Sequence, residues 1–482
     1  MVDFRPIAYV FGRILIVLAI LMLAPAAVDW SAGDENWLPL FFSALITGGV
    51  GGLIALASVN GLRGAFDIRQ AYLLTAVIWF GVPAFGALPF MLGVPRLHFT
   101  EAYFEAVSGI TTTGATVIYG LDAMPAGMNL WRGLLNAAGG LGIAFVAMIF
   151  LPVMRVGGMQ FFRTEGFDTF GKAVPRATDL AKALLGVYLG LIVAAAVVYA
   201  MIGMRPLDAV VNAMASIATG GFSPRDASFN EYAGAGEYFG ALFMFLGSLP
   251  YVRYVQMVNG DPRPLWRDSQ LRAYVKVLGL AVGTVTLWRW WTSDMEFEDT
   301  FREALFNLTS IMSSTGFFSG SFPVWGGYML VVAFLIGMIG ACSGSSAAGL
   351  TIFRAQLVWA ALIQQVRRII LPGRVAPVKY EGRTVEQDVL DALMLYVTGF
   401  VLTLGVLTVA MTFTGVDITS SLFAVWTALG NIGYGFGPLV ERTGTFVDFN
   451  DAAKWIMTLA MLLGRLGLLA IFVLVLPSFW RH

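Results

Sequence analysis

The chain has 482 residues, of which 30 are basic, 30 acidic, 58% hydrophobic and only 12% charged, and its mean hydropathy is +0.76. A water-soluble surface cannot carry that composition without large apolar patches, so an all-α integral membrane protein is expected; the balanced charge excludes a nucleic-acid binder acting through bulk positive charge. A single cysteine, Cys342, excludes a disulfide framework, and two histidines, His98 and His482, leave little for a His-based catalytic or metal centre.

Apolar stretches able to cross about 30 Å of hydrocarbon fall at 12–28, 38–58, 70–92, 131–154, 182–204, 237–256, 272–292, 324–371, 388–413 and 452–476. These are ten expected transmembrane spans. Arg5 and Arg13 precede the first, and Ala24-Pro25-Ala26 imitates a signal cleavage site, but the span is expected to be retained. With the N-terminus inside, the inner segments hold 21 basic residues and the outer segments 8, as the positive-inside rule requires. Both termini are then cytoplasmic. The outer side holds 19 of the acids, a distribution that concentrates cations. Gly48/Gly52 and Gly139-Gly140 read as helix-packing glycines.

Four outer segments share one pattern: an acidic residue, a short amphipathic helix, and three residues ending in glycine. The first begins at Glu101 and ends Thr112-Thr113-Gly114; the second begins at Asp208 and ends Ala218-Thr219-Gly220. The third runs from Glu303 to Ser314-Thr315-Gly316, and the fourth from Asp417 to Asn431-Ile432-Gly433. One such ending is an ordinary helix stop. Four in the same slot, about one hundred residues apart, are a repeat. Extended backbone at membrane depth is tolerated only inside protein or along a watery path. Four copies around one axis form a pseudo-fourfold pore whose carbonyls replace the hydration shell of a monovalent cation, with helix C-termini favouring positive charge. The expected units are an N-terminal helix pair (1–62) and four pore repeats at 63–180, 181–268, 269–383 and 384–482.

The run 324–371 would extend about 72 Å as one helix, more than twice the bilayer core. It is expected to break at Gly340-Ala341-Cys342-Ser343-Gly344-Ser345-Ser346-Ala347-Ala348-Gly349, beneath the four endings, where small residues could plug an inner cavity or clear it. A helix-packing face is the competing reading. Arg465 falls inside the last span, where a lone charge costs several kcal/mol. With no acid in another span to pair with it, a pore-facing position bonded to loop carbonyls or serine hydroxyls is expected. The glycine-spaced stretch 430–437 follows a membrane span and not a strand, so it is not a nucleotide loop.

SGITTTGAT (108–116), IATGGFS (217–223), SSTGFF (313–318), GNIGYGFG (430–437), GACSGSSAAGL (340–350), MLLGRLG (461–467) and PSFWR (477–481) together resemble the potassium-translocating subunits of the TrkH/TrkG/KtrB superfamily, and within it the TrkH branch. The resemblance covers essentially the whole chain. It implies potassium ion uptake across the bacterial inner membrane, a selectivity filter at the four endings, a gate at 340–349, and Arg465 just below the filter. It further implies a homodimer whose basic inner face (Arg354, Arg367, Arg368, Arg374, Lys379, Arg383) docks a cytosolic, nucleotide-binding TrkA-type ring, with no nucleotide bound by this chain. Two residues depart from the family pattern: Thr351, where a basic residue is expected, and Gly467, where an acid often follows the Arg-Leu pair. An ion-coupled symporter with sodium or proton is the alternative; it calls for inverted repeats and acidic coupling residues at mid-depth, whereas these repeats are parallel. An intramembrane serine protease lacks a base for its nucleophile.

Overall fold

The structure is a computed structural model, and it describes residues 3–61, 67–145, 177–371, 377–467, 473–474 and 476–481. Parts of two expected spans, 146–154 and 468–472, lie outside the described residues, as does Arg374.

Leu-, Ala- and Val-rich runs with few backbone partners other than their own become helices, because an unpaired peptide group in hydrocarbon costs several kcal/mol. Helices α1 (Arg5–Ala32) and α2 (Trp37–Ala57) form a pair joined by a tight turn, at which Gly33 leaves the helix with φ +72°. The pair packs through Gly12 and Gly51: a Cβ on either would lie 2.6–2.8 Å from the other's carbonyl oxygen. The expected pair was Gly48/Gly52. Gly48 touches Ala19, but Gly52 faces open space, so the seam lies one residue away.

After α3 (Ile68–Gly86), short helices alternate with long ones. The short ones are α4 (Phe99–Ile110), α7 (Pro206–Ile217), α11 (Phe297–Met312) and α15 (Ile418–Leu429). Three of them have 12 residues and α11 has 16, rises of about 18 and 24 Å, which are too little to cross. Between them run α5 (Ala126–Phe145), α6 (Ala177–Met201), α8 (Ala235–Gly247), α9 (Tyr251–Val258) and α10 (Ser269–Thr292), followed by α12 (Gly327–Ile339), α13 (Ile352–Ile370), α14 (Gln387–Phe413) and α16 (Asp451–Leu466). A two-stranded hairpin, β1 (Lys379–Tyr380) with β2 (Arg383–Thr384), precedes α14. Six described helices are long and apolar enough to cross a membrane, and α8 with α9 make a seventh if the bent pair is one span.

Three expectations change. The stretch 237–256 is not one straight helix, because α8 and α9 meet at 89°. Ser248 turns its N–H and hydroxyl back onto the carbonyl of Phe245, and Pro250, lacking an N–H, cannot continue the ladder. The third short helix begins at Phe297, so Glu303 sits inside it and Glu298 and Asp299 occupy its first turn. Arg132, one of the 8 basic residues counted in the outer segments, is fully buried in an ion pair with Glu105 at 2.9 Å, and its guanidinium also reaches the Ser223 carbonyl. Removing one partner of such a pair strands the other charge, at about 3–5 kcal/mol.

Candidate functional site

The four short helices end alike. In the first, the N–H of Thr112 bonds the carbonyl of Gly109 and that of Thr113 the carbonyl of Ser108. The same two bonds recur from Thr219 and Gly220, from Ser314 and Thr315, and from Asn431 and Ile432. This is the Schellman stop, in which the turning residue adopts the left-handed conformation glycine favours. Here Thr112, Thr219, Ser314 and Asn431 take it instead, with φ between +47° and +60°. Each costs about 1–2 kcal/mol, met by the surrounding packing.

Two residues further on, each segment has a glycine at φ between +71° and +88°: Gly114, Gly221, Gly316 and Gly433. A Cβ built on Gly114 would lie 2.6 Å from the Gly220 carbonyl oxygen; on Gly221, 1.9 Å from that of Thr315. On Gly316 it would lie 2.0 Å from the Ile432 oxygen, and on Gly433, 2.1 Å from the Thr113 oxygen. Read in order, each segment meets the next and the fourth meets the first. The carbonyls of Thr113, Gly220, Thr315 and Ile432 stand at the four junctions. Outside them opens a cavity of about 390 Å³, lined by all four positive-φ glycines together with Arg132, Ser223 and Tyr434.

This geometry changes the register of the second segment. Gly221, not Gly220, matches Gly114, and Thr219 matches Thr112; Ala218 is the C-cap of its helix and corresponds to Thr111. The sequence offered a signal for it. Glu101 precedes Gly114, and Glu303 precedes Gly316, by the same interval that separates Asp208 from Gly221.

The segments are braced from behind. In the first, the Glu105 carboxylate accepts from the N–H of Val117 and the hydroxyl of Thr116; in the third, Asn307 accepts from the N–H of Ser319 at 3.1 Å. Asn212 holds the same place in the second, but Pro224 offers no N–H there, and the Asn212 Oδ1 has no protein partner. Asp417 caps the fourth helix through the N–H of Ser420 at 2.9 Å. Partial burial pushes its pKa up, but bonds from Ser420 and the Thr419 backbone hold it below the ordinary value. Its contribution is therefore present above the unfolded-state pKa and lost as pH falls through the folded one. Asp417→Ala is expected to cost about 1 kcal/mol at neutral pH, toward the low end because the group is exposed. Thermal melts of the variant and the parent should draw together as the pH is lowered from neutral through the folded-state pKa.

Below the junctions, α12 ends at Ile339 and α13 begins at Ile352, and residues 340–351 between them form an irregular, mostly buried loop. Gly340 folds the loop onto itself, its missing Cβ leaving room for the Ala348 carbonyl oxygen, which a side chain there would overlap. Ser343 bonds Gln270 of α10, the Gly344 carbonyl accepts from Tyr251, and Ser346 shares a hydrogen bond with the Tyr251 hydroxyl. Ala347 caps onto Ser345, and Ser345 onto the carbonyl of Cys342. The N–H of Ala348 reaches the side chain of Ser314, which places the loop directly against the third segment. Ala341 pins the start of α13 through Ile352, while Gly349 packs on Gly340. Arg465 joins the two levels: its guanidinium donates to the Thr112 hydroxyl at 2.7 Å and to the carbonyl of Ser346. The partners are thus a loop carbonyl and a threonine hydroxyl, not a serine.

The two departures have local explanations. Thr351 bonds Ser343 across the loop at 2.7 Å, closing it where a basic side chain was expected. Gly467 terminates α16 at φ +74°, a conformation that would strain an acidic residue. One member of the basic inner cluster is not on the surface: Arg354 is buried, with its guanidinium 4.2 Å over the Tyr396 ring.

A family model for cation transport proteins, TrkH, matches residues 52–481. The Trk system potassium uptake protein TrkI of Halomonas elongata is 36% identical across 99% of this chain and 97% of its own length. The Trk system potassium uptake protein TrkH of Escherichia coli is 31% identical across the whole of both chains. The crystal structure of the potassium transporter TrkH from Vibrio parahaemolyticus superimposes with a TM-score of 0.90 at 30% identity, covering 100% of each chain.

Proposed function

The chain belongs to the TrkH family of cation transport proteins, and from that premise we propose that it takes up potassium across the bacterial inner membrane through a channel-like pore. It is a multi-pass membrane protein. In this reading its ten spans comprise a leading helix pair and four parallel repeats, and the four helix endings form the selectivity filter. One observation carries the proposal: the cyclic approach of Gly114, Gly221, Gly316 and Gly433, each to a carbonyl of the next segment. Carbonyl oxygens so grouped replace the water around a large monovalent cation. Four helix C-termini aimed at the same place add negative potential.

The loop at 340–349 is the gate of this reading, shut in the conformation described because Arg465, Tyr251 and Ser314 hold it under the filter. A homodimer bearing a cytosolic nucleotide-binding ring on its inner face would release it, with Arg367, Arg368, Lys379 and Arg383 as the contact region. Rubidium and sodium flux into liposomes containing the purified chain tests the function. Rubidium entry well above sodium, driven by membrane potential alone, is the expected result. Equal entry of the two ions rejects the filter, and an absolute need for a sodium or proton gradient rejects the channel in favour of a symporter.

A further inference from the structure

The four segments are not equally built. The first and third contain a hydroxyl pair, Thr111 with Thr113 and Ser313 with Thr315, each at 2.7 Å. The second and fourth cannot, because Ala218/Gly220 and Gly430/Ile432 occupy those places. The fourth has something else. The side-chain amide of Asn431 donates to the Thr113 hydroxyl at 2.9 Å and to the carbonyl of Met461 on α16 at 3.0 Å. The bond to Thr113 joins the fourth segment to the first; the Tyr434 hydroxyl, donating to Asn307 at 2.9 Å, joins the fourth to the third.

The bonds have a forced direction. The proton of Thr111 goes to the Val107 carbonyl at 2.7 Å. Thr113 must then donate to Thr111, which leaves its oxygen to accept from Asn431. The result is a chain with a single polarity, from Asn431 through Thr113 and Thr111 to the helix behind the first segment. All its members are fully buried or nearly so, where such chains strengthen one another and a missing link is costly.

We propose that Asn431 is a positioning residue for ion selection. Its amide, anchored on α16, fixes the distance between the first and fourth segments and so the spacing of the Thr113 and Ile432 carbonyls. At the junction of the fourth and first segments this side-chain bolt adds to the carbonyl packing. This role rests on the filter reading above, and the two fail in different ways.

The test compares rubidium and sodium flux, with thermal stability, for the parent, Asn431→Leu, Thr113→Val, Thr111→Val and the Asn431→Leu/Thr113→Val double variant. In Asn431→Leu the rubidium-over-sodium ratio should fall about tenfold, the effect of losing one to two buried hydrogen bonds, while rubidium turnover per folded molecule persists. The double variant should be no less selective than Thr113→Val alone, because both changes remove the same bond. Thr111→Val should cost less selectivity than Thr113→Val, since it leaves the acceptor of Asn431 in place. A parent without rubidium preference overturns the filter reading itself. A selective parent with an unchanged Asn431→Leu ratio, or with additive losses in the double variant, overturns the bolt. If Asn431→Leu fails to fold, the two threonine variants decide: equal losses reject the proposal, and the larger loss in Thr113→Val sustains it.

Discussion

Arg465→Ala should raise the maximal rubidium flux per folded molecule by one to two orders of magnitude. Two effects act in the same direction. A fixed charge below the filter repels a departing cation by near 3 kcal/mol at about 6 Å and an effective dielectric of 20, which slows passage by about two orders of magnitude. The same guanidinium ties the Ser346 carbonyl to the Thr112 hydroxyl, so its loss also unfastens the loop. Arg465→Lys separates these contributions. A lysine keeps the charge, but its shorter side chain does not extend to the position of the Nη2 nitrogen that makes both bonds. A slow lysine variant assigns the barrier to charge; a fast one assigns it to the latch. The competing outcome is structural, with Arg465→Ala lowering folded yield and melting temperature and leaving flux unchanged. Flux and yield measured on the same preparations distinguish them.

Gly221→Ala should abolish selective transport, with Gly220→Ala much milder. At Gly221 the backbone is left-handed and a Cβ would stand 1.9 Å from the Thr315 carbonyl oxygen, a backbone atom with nowhere to go. Relieving that overlap means displacing the third segment, and a change of some tenths of an ångström in carbonyl spacing is enough to alter which ion fits. Gly220 lacks the positive φ, and a Cβ there would meet the side chain of Asn136 on α5, its Cγ at 2.5 Å, so the strain falls on the helix behind and not on a neighbouring segment's carbonyl. The reverse ranking would restore the register expected from the sequence and reject the one the backbone indicates. Flux ratios for the two alanine variants, each normalised to folded protein, settle the point.

Much of the architecture was readable because a membrane chain makes its exceptions conspicuous. Threonine-glycine endings, a run of small residues in an overlong apolar stretch and one arginine in a span all stand out against leucine and valine. The second register was obscured because Gly220 and Gly221 are adjacent, and composition cannot say which one turns the chain. The spacing from Asp208 could. The bend at Ser248–Pro250 was hidden by hydropathy, which sums across a break; Pro250 was the available signal. The burial of Arg132 was not legible at all. Its partner Glu105 lies in a short helix that looks amphipathic, and only the packing of α5 against α4 brings the two charges together. The Asn431–Thr113 bond belongs to the same class, since nothing local in either segment announces the other.

That last contact carries a consequence for how the molecule is made. Asn431 and Thr113 are 318 residues apart, and Lys454–Glu101 and Arg465–Thr112 are each 353 apart. A chain emerging from its N-terminus has synthesised its first filter segment long before the partners that complete it exist. Until the last helix inserts, the buried hydroxyls and the Glu101 carboxylate of that segment must find temporary partners in water, lipid headgroups or an assembly factor. Contacts of such long sequence separation form late and slowly. On the filter reading, a product cut short after the third segment is an open arc, without the Ile432 carbonyl and the Asn431 bond that close the ring on the first segment.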